Sequence, residues 1–224
     1  LLVLNQSQSP AFQNMIESAA RPASVTFLNG QGFAASRGDT RLRSAPTYDR
    51  RSVLHRARSW GSYLTSALAF AARQSDFVLA VTNPPLLPHV AWALSQARGI
   101  KYGLLIWDIY PGHLHQIGWL NPQSPVSRAW EAFNDLALNR AEFVVTIGER
   151  MASALRGRAS RRADIQVIPN WADTVILQPM PRDSNPLRQR FDVRDELVVM
   201  YSGNLGASHG LDGLLDAAAE LRTD

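Results

Sequence analysis

Cysteine is absent from these 224 residues, which excludes disulfides and thiolate metal sites and fits a reducing compartment. Lysine is almost absent as well: Lys101 is the only one, so arginine carries nearly all of the positive charge. No apolar run approaches the roughly 20 residues of a bilayer-spanning helix. The opening Leu1-Leu-Val-Leu4 is too short and too uncharged for a secretory signal, and it reads as a buried strand. The chain begins on Leu1 rather than methionine, and residues upstream of it are expected. Charged residues make up only 19% of the chain against 46% apolar, which excludes global disorder and predicts a real core. No helix-turn-helix, finger or RNA-binding signature occurs. The net charge of +4 therefore suits phosphate-bearing ligands or an anionic membrane surface, and nucleic acid is not expected as a partner.

What is present is an alternation of short apolar runs and helical patterns, the mark of a parallel α/β sheet with flanking helices. Strands are predicted at Leu1–Asn5, Ser24–Leu28, Phe77–Val81, Tyr102–Trp107, Phe143–Ile147 and Ile165–Ile168. Ser9-Pro10 supplies a cap and a first-turn proline for a helix carrying Phe12, Met15, Ile16 and Ala19. Val53, Ala57, Trp60, Leu64, Leu68 and Ala71 recur at helical spacing. Further helices are predicted around Val90–Ala97, Val126–Asn139 and Glu149–Arg156. Two long loops are expected, Asn29–Asp49 and Asp108–Pro125, and long loops in compact domains often carry function.

The proline-rich stretch through Pro186 reads as a linker. The expected division is a first domain over residues 1–177 and a second unit over 178–224. Leu197–Tyr201 is predicted to be a strand running into Ser202-Gly-Asn-Leu-Gly206 and then a helix with Leu211, Leu214, Leu215, Ala218 and Leu221. Such a glycine turn aims backbone N–H groups and a helix dipole at one point, where a diphosphate can sit. A tight strand-to-helix connection uses the same glycines for conformational reasons alone. One strand and one helix cannot bury a core, so the second domain is expected to be incomplete within these residues.

Five segments then occur in order: Thr82-Asn-Pro-Pro-Leu-Leu-Pro88, Trp107-Asp-Ile-Tyr-Pro111 with Ile117-Gly-Trp-Leu120, Thr146-Ile-Gly-Glu-Arg-Met-Ala152, Val167-Ile-Pro-Asn-Trp-Ala-Asp173 and Tyr201-Ser-Gly-Asn-Leu-Gly206. Together they resemble the GT4-type retaining glycosyltransferases of the GT-B fold, above all the WbuB-like enzymes of surface-polysaccharide assembly. The resemblance implies two Rossmann-like domains facing a cleft, with the acceptor on the N-terminal domain and a nucleotide-sugar donor on the C-terminal one. It implies no metal and no cofactor, the nucleotide-sugar being a substrate. Catalysis in that family rests on stabilising a departing nucleoside diphosphate and an oxocarbenium-like sugar. A cytoplasmic enzyme, peripheral at the inner face of the membrane and acting on a saccharide or lipid-linked acceptor, is the resulting expectation. The 224 residues alone are expected to have little or no transfer activity.

By this resemblance Gly203, Asn204 and Gly206 match the turn beside the donor pyrophosphate. Asp108 matches a polar cleft position and is the catalytic candidate, while Asn170 and Asp173 match the segment entering the interdomain crossing. Many relatives carry histidine before that aspartate where this chain has Trp107, so no catalytic histidine is carried over. The donor-holding basic residues and paired glutamates of the family have no counterpart here. The residues themselves allow plainer roles. Asp108 ends a buried strand, where ligands bind in open α/β sheets, yet aspartate also caps turns. Asn83 either faces the cleft or forms the turn. His113 and His115 lack the cysteines or carboxylates of a metal site, which leaves acceptor contact or exposure for His113. Arg37, Arg41, Arg43, Arg50, Arg51, Arg56 and Arg58, with Tyr48, Trp60 and Tyr63 nearby, form either a solvated face or a contact with anionic headgroups. A non-catalytic acceptor-binding module and a sugar-nucleotide epimerase are the alternative readings. A dehydrogenase is disfavoured because Asn5-Gln-Ser-Gln-Ser9 is no dinucleotide fingerprint.

Overall fold

The computed structural model describes residues 1–7, 10–20, 23–30, 40–49, 51–74, 76–159, 163–172, 174, 177–195, 198–203 and 210–221. Seven parallel strands form one sheet in the order β3-β2-β1-β4-β5-β6-β7. They are β1 Leu2–Leu4, β2 Thr26–Asn29, β3 Arg41–Ser44, β4 Phe77–Val81, β5 Lys101–Ile106, β6 Phe143–Thr146 and β7 Ile165–Val167. The helices are α1 Pro10–Ala19, α2 Val53–Gln74, α3 Leu87–Arg98, α4 Gly112–Gln116, α5 Pro125–Arg140, α6 Glu149–Arg156, α7 Pro186–Arg190 and α8 Asp212–Glu220. Six strands lie within a residue or two of their predicted places. The seventh, β3, falls inside the segment read as a loop. It is an edge strand with the sequence Arg-Leu-Arg-Ser and exposes nearly all of it, so no apolar run announces it.

Alternation along the strands builds two apolar layers. Leu2, Leu4, Val78, Ala80, Tyr102, Leu104, Val144 and Ile165 face one side and pack with Tyr63, Ala67, Ala71, Leu87, Ala91, Leu94, Leu138 and Leu155 of α2, α3, α5 and α6. Val3, Phe27, Leu79, Val81 and Leu105 face the other side, where α1 contributes Phe12 and Ile16. Beyond α1 on that second face, among the described residues, a groove of about 640 Å³ runs over Phe77, Leu79, Leu105, Phe143 and Val145 to Trp171.

Local chemistry explains several boundaries. Ser124 caps α5 by accepting the Ser127 N–H at 3.1 Å, with Pro125 in the first turn. Gly99, at φ 67°, ends α3 in the left-handed conformation that favours glycine and donates to Ser95 O. The buried stripe of α2 differs from the predicted one. Ser59, Tyr63, Ala67 and Ala71 are buried, while Val53, Ala57 and Leu68 are exposed. The stripe is centred on Tyr63, whose hydroxyl donates to Leu28 O at 2.5 Å across the sheet. An aromatic ring with a satisfied hydroxyl outweighs the exposed aliphatics in setting the helix rotation.

The predicted strand at Leu197–Tyr201 does not form among the described residues. Val198 to Tyr201 lie in no sheet and are exposed. Helix α8 forms as expected, with Leu214 and Leu215 exposed.

Candidate functional site

The chain reverses direction across the sheet at β1: β2 and β3 lie on one side of it and β4 to β7 on the other. In open α/β sheets the crevice outside the carboxyl ends at such a reversal is where ligands bind. Here those ends are β1 at Asn5–Gln6, β4 at Thr82–Asn83 and β5 at Trp107–Asp108. Hydrogen bonds lock them into one rim. Gln6 N–H donates to Asn83 O at 2.9 Å, and Thr82 N–H donates to Leu105 O at 3.1 Å. Thr82 Oγ1 accepts from both Trp107 N–H (3.0 Å) and Asp108 N–H (3.3 Å). The side chains of Asn5 and Gln6 are fully buried. Gln6 Nε2 donates to Pro46 O and Ser59 O, both at 3.0 Å, tying the rim to α2.

Asp108 stands on this rim with its side chain exposed and its backbone fixed by Thr82. It borders a cavity of about 40 Å³ shared with Thr82, Tyr110, Asn134, Asp135 and Arg158. That volume holds about one water and no sugar ring, so a saccharide would occupy the open crevice above it. Arg158 anchors the cavity wall, donating from Nε to Asp135 Oδ1 at 2.8 Å and also to Glu131 O at 3.1 Å. Tyr110 stacks on Trp130 at 6.0 Å. Burial, with the negative charge of Asp108 adding to it, pushes the Tyr110 hydroxyl up to about 12. The phenol therefore stays protonated at neutral pH and can donate a hydrogen bond toward the crevice.

Asn83 takes the turn-forming role: its Nδ2 donates to Ser7 O at 3.3 Å, holding the loop after β1. His113 is half-buried, with its ring edge-on to Tyr110 at 5.6 Å. His115 is engaged separately, its Nε2 lying 2.6 Å from Ser127 Oγ. Among the described residues no group of three or more His, Cys, Asp or Glu could hold a metal ion. Asn170 lies exposed beyond β7. Gly203 is described and exposed, whereas Asn204 and Gly206, like Asp173, Arg37 and Arg50, lie outside the described residues. The structure thus brings together Asp108, Asn83 and His113 and adds Asn5, Gln6, Thr82, Tyr110 and Arg158. The signal for Gln6 and Thr82 was a polar residue directly after a buried strand.

Comparison with known proteins agrees with this architecture. The chain is 29% identical over 150 residues to WbjE of Pseudomonas aeruginosa, named as a glycosyltransferase, covering 67% of this chain and 38% of the relative. It is 28% identical over 101 residues to WcaI of Escherichia coli K12, named as a glycosyl transferase of colanic acid biosynthesis, covering 44% of this chain and 25% of the relative. The chain thus spans well under half the length of these relatives. Among solved structures it superposes on Anabaena HepE in complex with UDP-glucose with a TM-score of 0.64 and 18% identity, over 98% of this chain and 57% of HepE. On a sucrose-phosphate synthase from Thermosynechococcus elongatus the TM-score is 0.66 at 15% identity, over 98% of this chain and 59% of that one. The description of the glycosyl transferase 4-like domain fits residues 14–171, most of the sheet and its rim, and the chain belongs to that family.

Proposed function

We propose that residues 1–177 form the acceptor-side half of a retaining glycosyltransferase and that residues 178–224 begin its donor-binding half. The reaction moves a sugar from a nucleotide-sugar to a hydroxyl of a saccharide or lipid-linked saccharide during surface-polysaccharide assembly, at the cytoplasmic face of the membrane. The observation that carries the reading is the hydrogen-bonded rim at the carboxyl ends of β1, β4 and β5, with an exposed carboxylate at Asp108. In this reading Asp108 orients or deprotonates the acceptor hydroxyl, and Tyr110 and His113 border the acceptor. Asn83 supports the loop after β1, and Asn170 lies on the path toward the donor. The turn at Gly203, Asn204 and Gly206 receives the donor diphosphate, helped by the dipole of the helix that follows. No metal or cofactor takes part. HepE, a structural neighbour, is recorded with UDP-glucose, which makes uridine diphosphate sugars the first donors to try.

The test is a donor screen on the intact protein that carries this chain, with release of nucleoside diphosphate and sugar incorporation both followed. Sugar appearing on an added acceptor supports the proposal. Isomerisation of the donor sugar with no acceptor product would replace it with an epimerase, and donor binding without turnover would replace it with a binding module.

A further inference from the structure

The rim holds two charges of opposite sign that do not meet. Asp108 stands exposed after β5, and Arg56 is half-buried in the first turns of α2. Neither has an ion-pair partner among the described residues. The fold ties both to one place. Gln6, at the end of β1, donates to Ser59 O at 3.0 Å, and Ser59 Oγ donates in turn to Arg56 O at 2.9 Å. The charges of Asp108 and Arg56 both act on the hydroxyl of Tyr110, as does the nearby hydroxyl of Tyr48. A guanidinium and a carboxylate that border one hydroxyl without pairing leave a gap between them at the crevice.

The donors on either side of that gap are held in place. The guanidinium of Arg56 lies 5.9 Å from the centre of the Trp119 ring, and its Nε is buried with no acceptor. A solvated arginine keeps its head in water; this one is propped on an aromatic ring and partly stripped of water, which strengthens its pull on an anion. Two residues one turn apart on α5 grip Tyr110. Trp130 stacks on its ring with centroids 6.0 Å apart, and Asn134 Nδ2 donates to its carbonyl oxygen at 2.6 Å. The ring is thereby fixed, and its hydroxyl keeps its proton at neutral pH. A charged donor and a neutral one, both fixed at one crevice, suit an oxyanion. The carboxylate of Asp108 repels a bare anion, so the ligand must also offer it a hydroxyl. A neutral saccharide leaves Arg56 unanswered, and a simple anion leaves Asp108 unanswered. A saccharide that carries an anionic group answers both.

We infer that Arg56, with the Tyr110 hydroxyl, recognises an anionic group on the acceptor, a phosphate or a carboxylate carried beside the hydroxyl that faces Asp108. The inference rests on the reading of this crevice as the acceptor site and narrows the acceptor to an anionic saccharide. Arg56 then sets specificity and takes no part in the transfer itself. The arginine run seen in the sequence divides accordingly. Arg51 pairs with Asp49 at 2.6 Å, and Arg41, Arg43 and Arg58 are exposed, while Arg56 borders the crevice. Tyr48 is steadied beside it by stacking on half-buried Trp60 at 6.3 Å.

Titration calorimetry on the intact protein tests this without donor or turnover. The probes are glucose 1-phosphate, glucuronic acid and neutral glucose. One of the two anionic probes is expected to bind about tenfold more tightly than glucose, and which one does so distinguishes a phosphate from a carboxylate. Arg56→Gln should weaken that probe about tenfold and leave glucose unchanged, as loss of a charged hydrogen bond requires. Tyr110→Phe keeps the stacked ring and should weaken it about fivefold, which tests the same point should Arg56→Gln lower the unfolding temperature. Wild-type protein that binds neither anionic probe more tightly than glucose would overturn the inference. So would an anionic probe that binds both variants as it binds wild type, the result expected if it sits only at the donor turn. If Arg56-dependent binding is found and the intact protein transfers no sugar, the proposed reaction fails while the anion-binding point stands. If Arg56→Gln transfers sugar as fast as wild type, the reaction stands and the inference fails.

Discussion

Thr82 shows how much of the site depends on one side chain. Its hydroxyl oxygen accepts two backbone N–H groups, those of Trp107 and Asp108, and the residue is buried. Thr82→Val keeps the shape and strands both donors, which should cost about 1–3 kcal/mol of stability. It should also reduce turnover of the intact protein by loosening Asp108. Thr82→Ser should restore both, and urea unfolding with steady-state rates checks the pair. His89 gives a prediction in pH. Its ring is largely buried, and burial lowers its pKa, so the folded state resists a proton that the unfolded chain accepts near 6.5. Stability from this residue is complete above the unfolded value and is lost as pH falls below it toward the lowered folded value. A melting temperature that drops less between pH 7 and pH 5 in His89→Gln than in wild type is the expected result. The place of Asp108 at the end of a buried strand was legible in the sequence, which left it a choice between a ligand-facing role and a turn cap. Thr82 was visible in the same motif, but its role was not, because its partners come 25 and 26 residues later.

Among the elements, the central strands and α6 were readable from apolar runs and helical spacing. What escaped was set by tertiary contact. Strand β3 exists because β2 offers it a ladder, and its own side chains say little. Helix α2 turns on Tyr63 reaching Leu28, which no periodicity count reveals. Two glycines allow opposite predictions. A Cβ on Gly30 would lie 2.5 Å from Pro46 O and 2.9 Å from Gln6 O, both backbone atoms, so the rim must shift to admit it. Gly30→Ala should cost about 1–3 kcal/mol. Gly61, in the exposed interior of α2, would meet nothing within 4 Å, and Gly61→Ala should add about 0.5–1 kcal/mol by favouring the helix. Denaturant midpoints measured on the two variants should move in opposite directions.

For the molecule as a whole, the parallel sheet was legible from the alternation of strand and helix. The groove beside α1 among the described residues was not, since apolar strand residues alone do not say what lies over them. The proposed chemistry places the departing diphosphate among backbone N–H groups at a helix N-terminus. Chelation with EDTA is therefore expected to leave the transfer rate of the intact protein unchanged, and a loss restored by added divalent cation would refute that assignment. The most direct test of the whole account is the rate of sugar transfer by the intact protein with Asp108→Asn. The account predicts a fall of about 10²–10⁴-fold with unfolding temperature unaltered, as expected for loss of a group acting on the reacting hydroxyl. Transfer at the wild-type rate in that variant would contradict it.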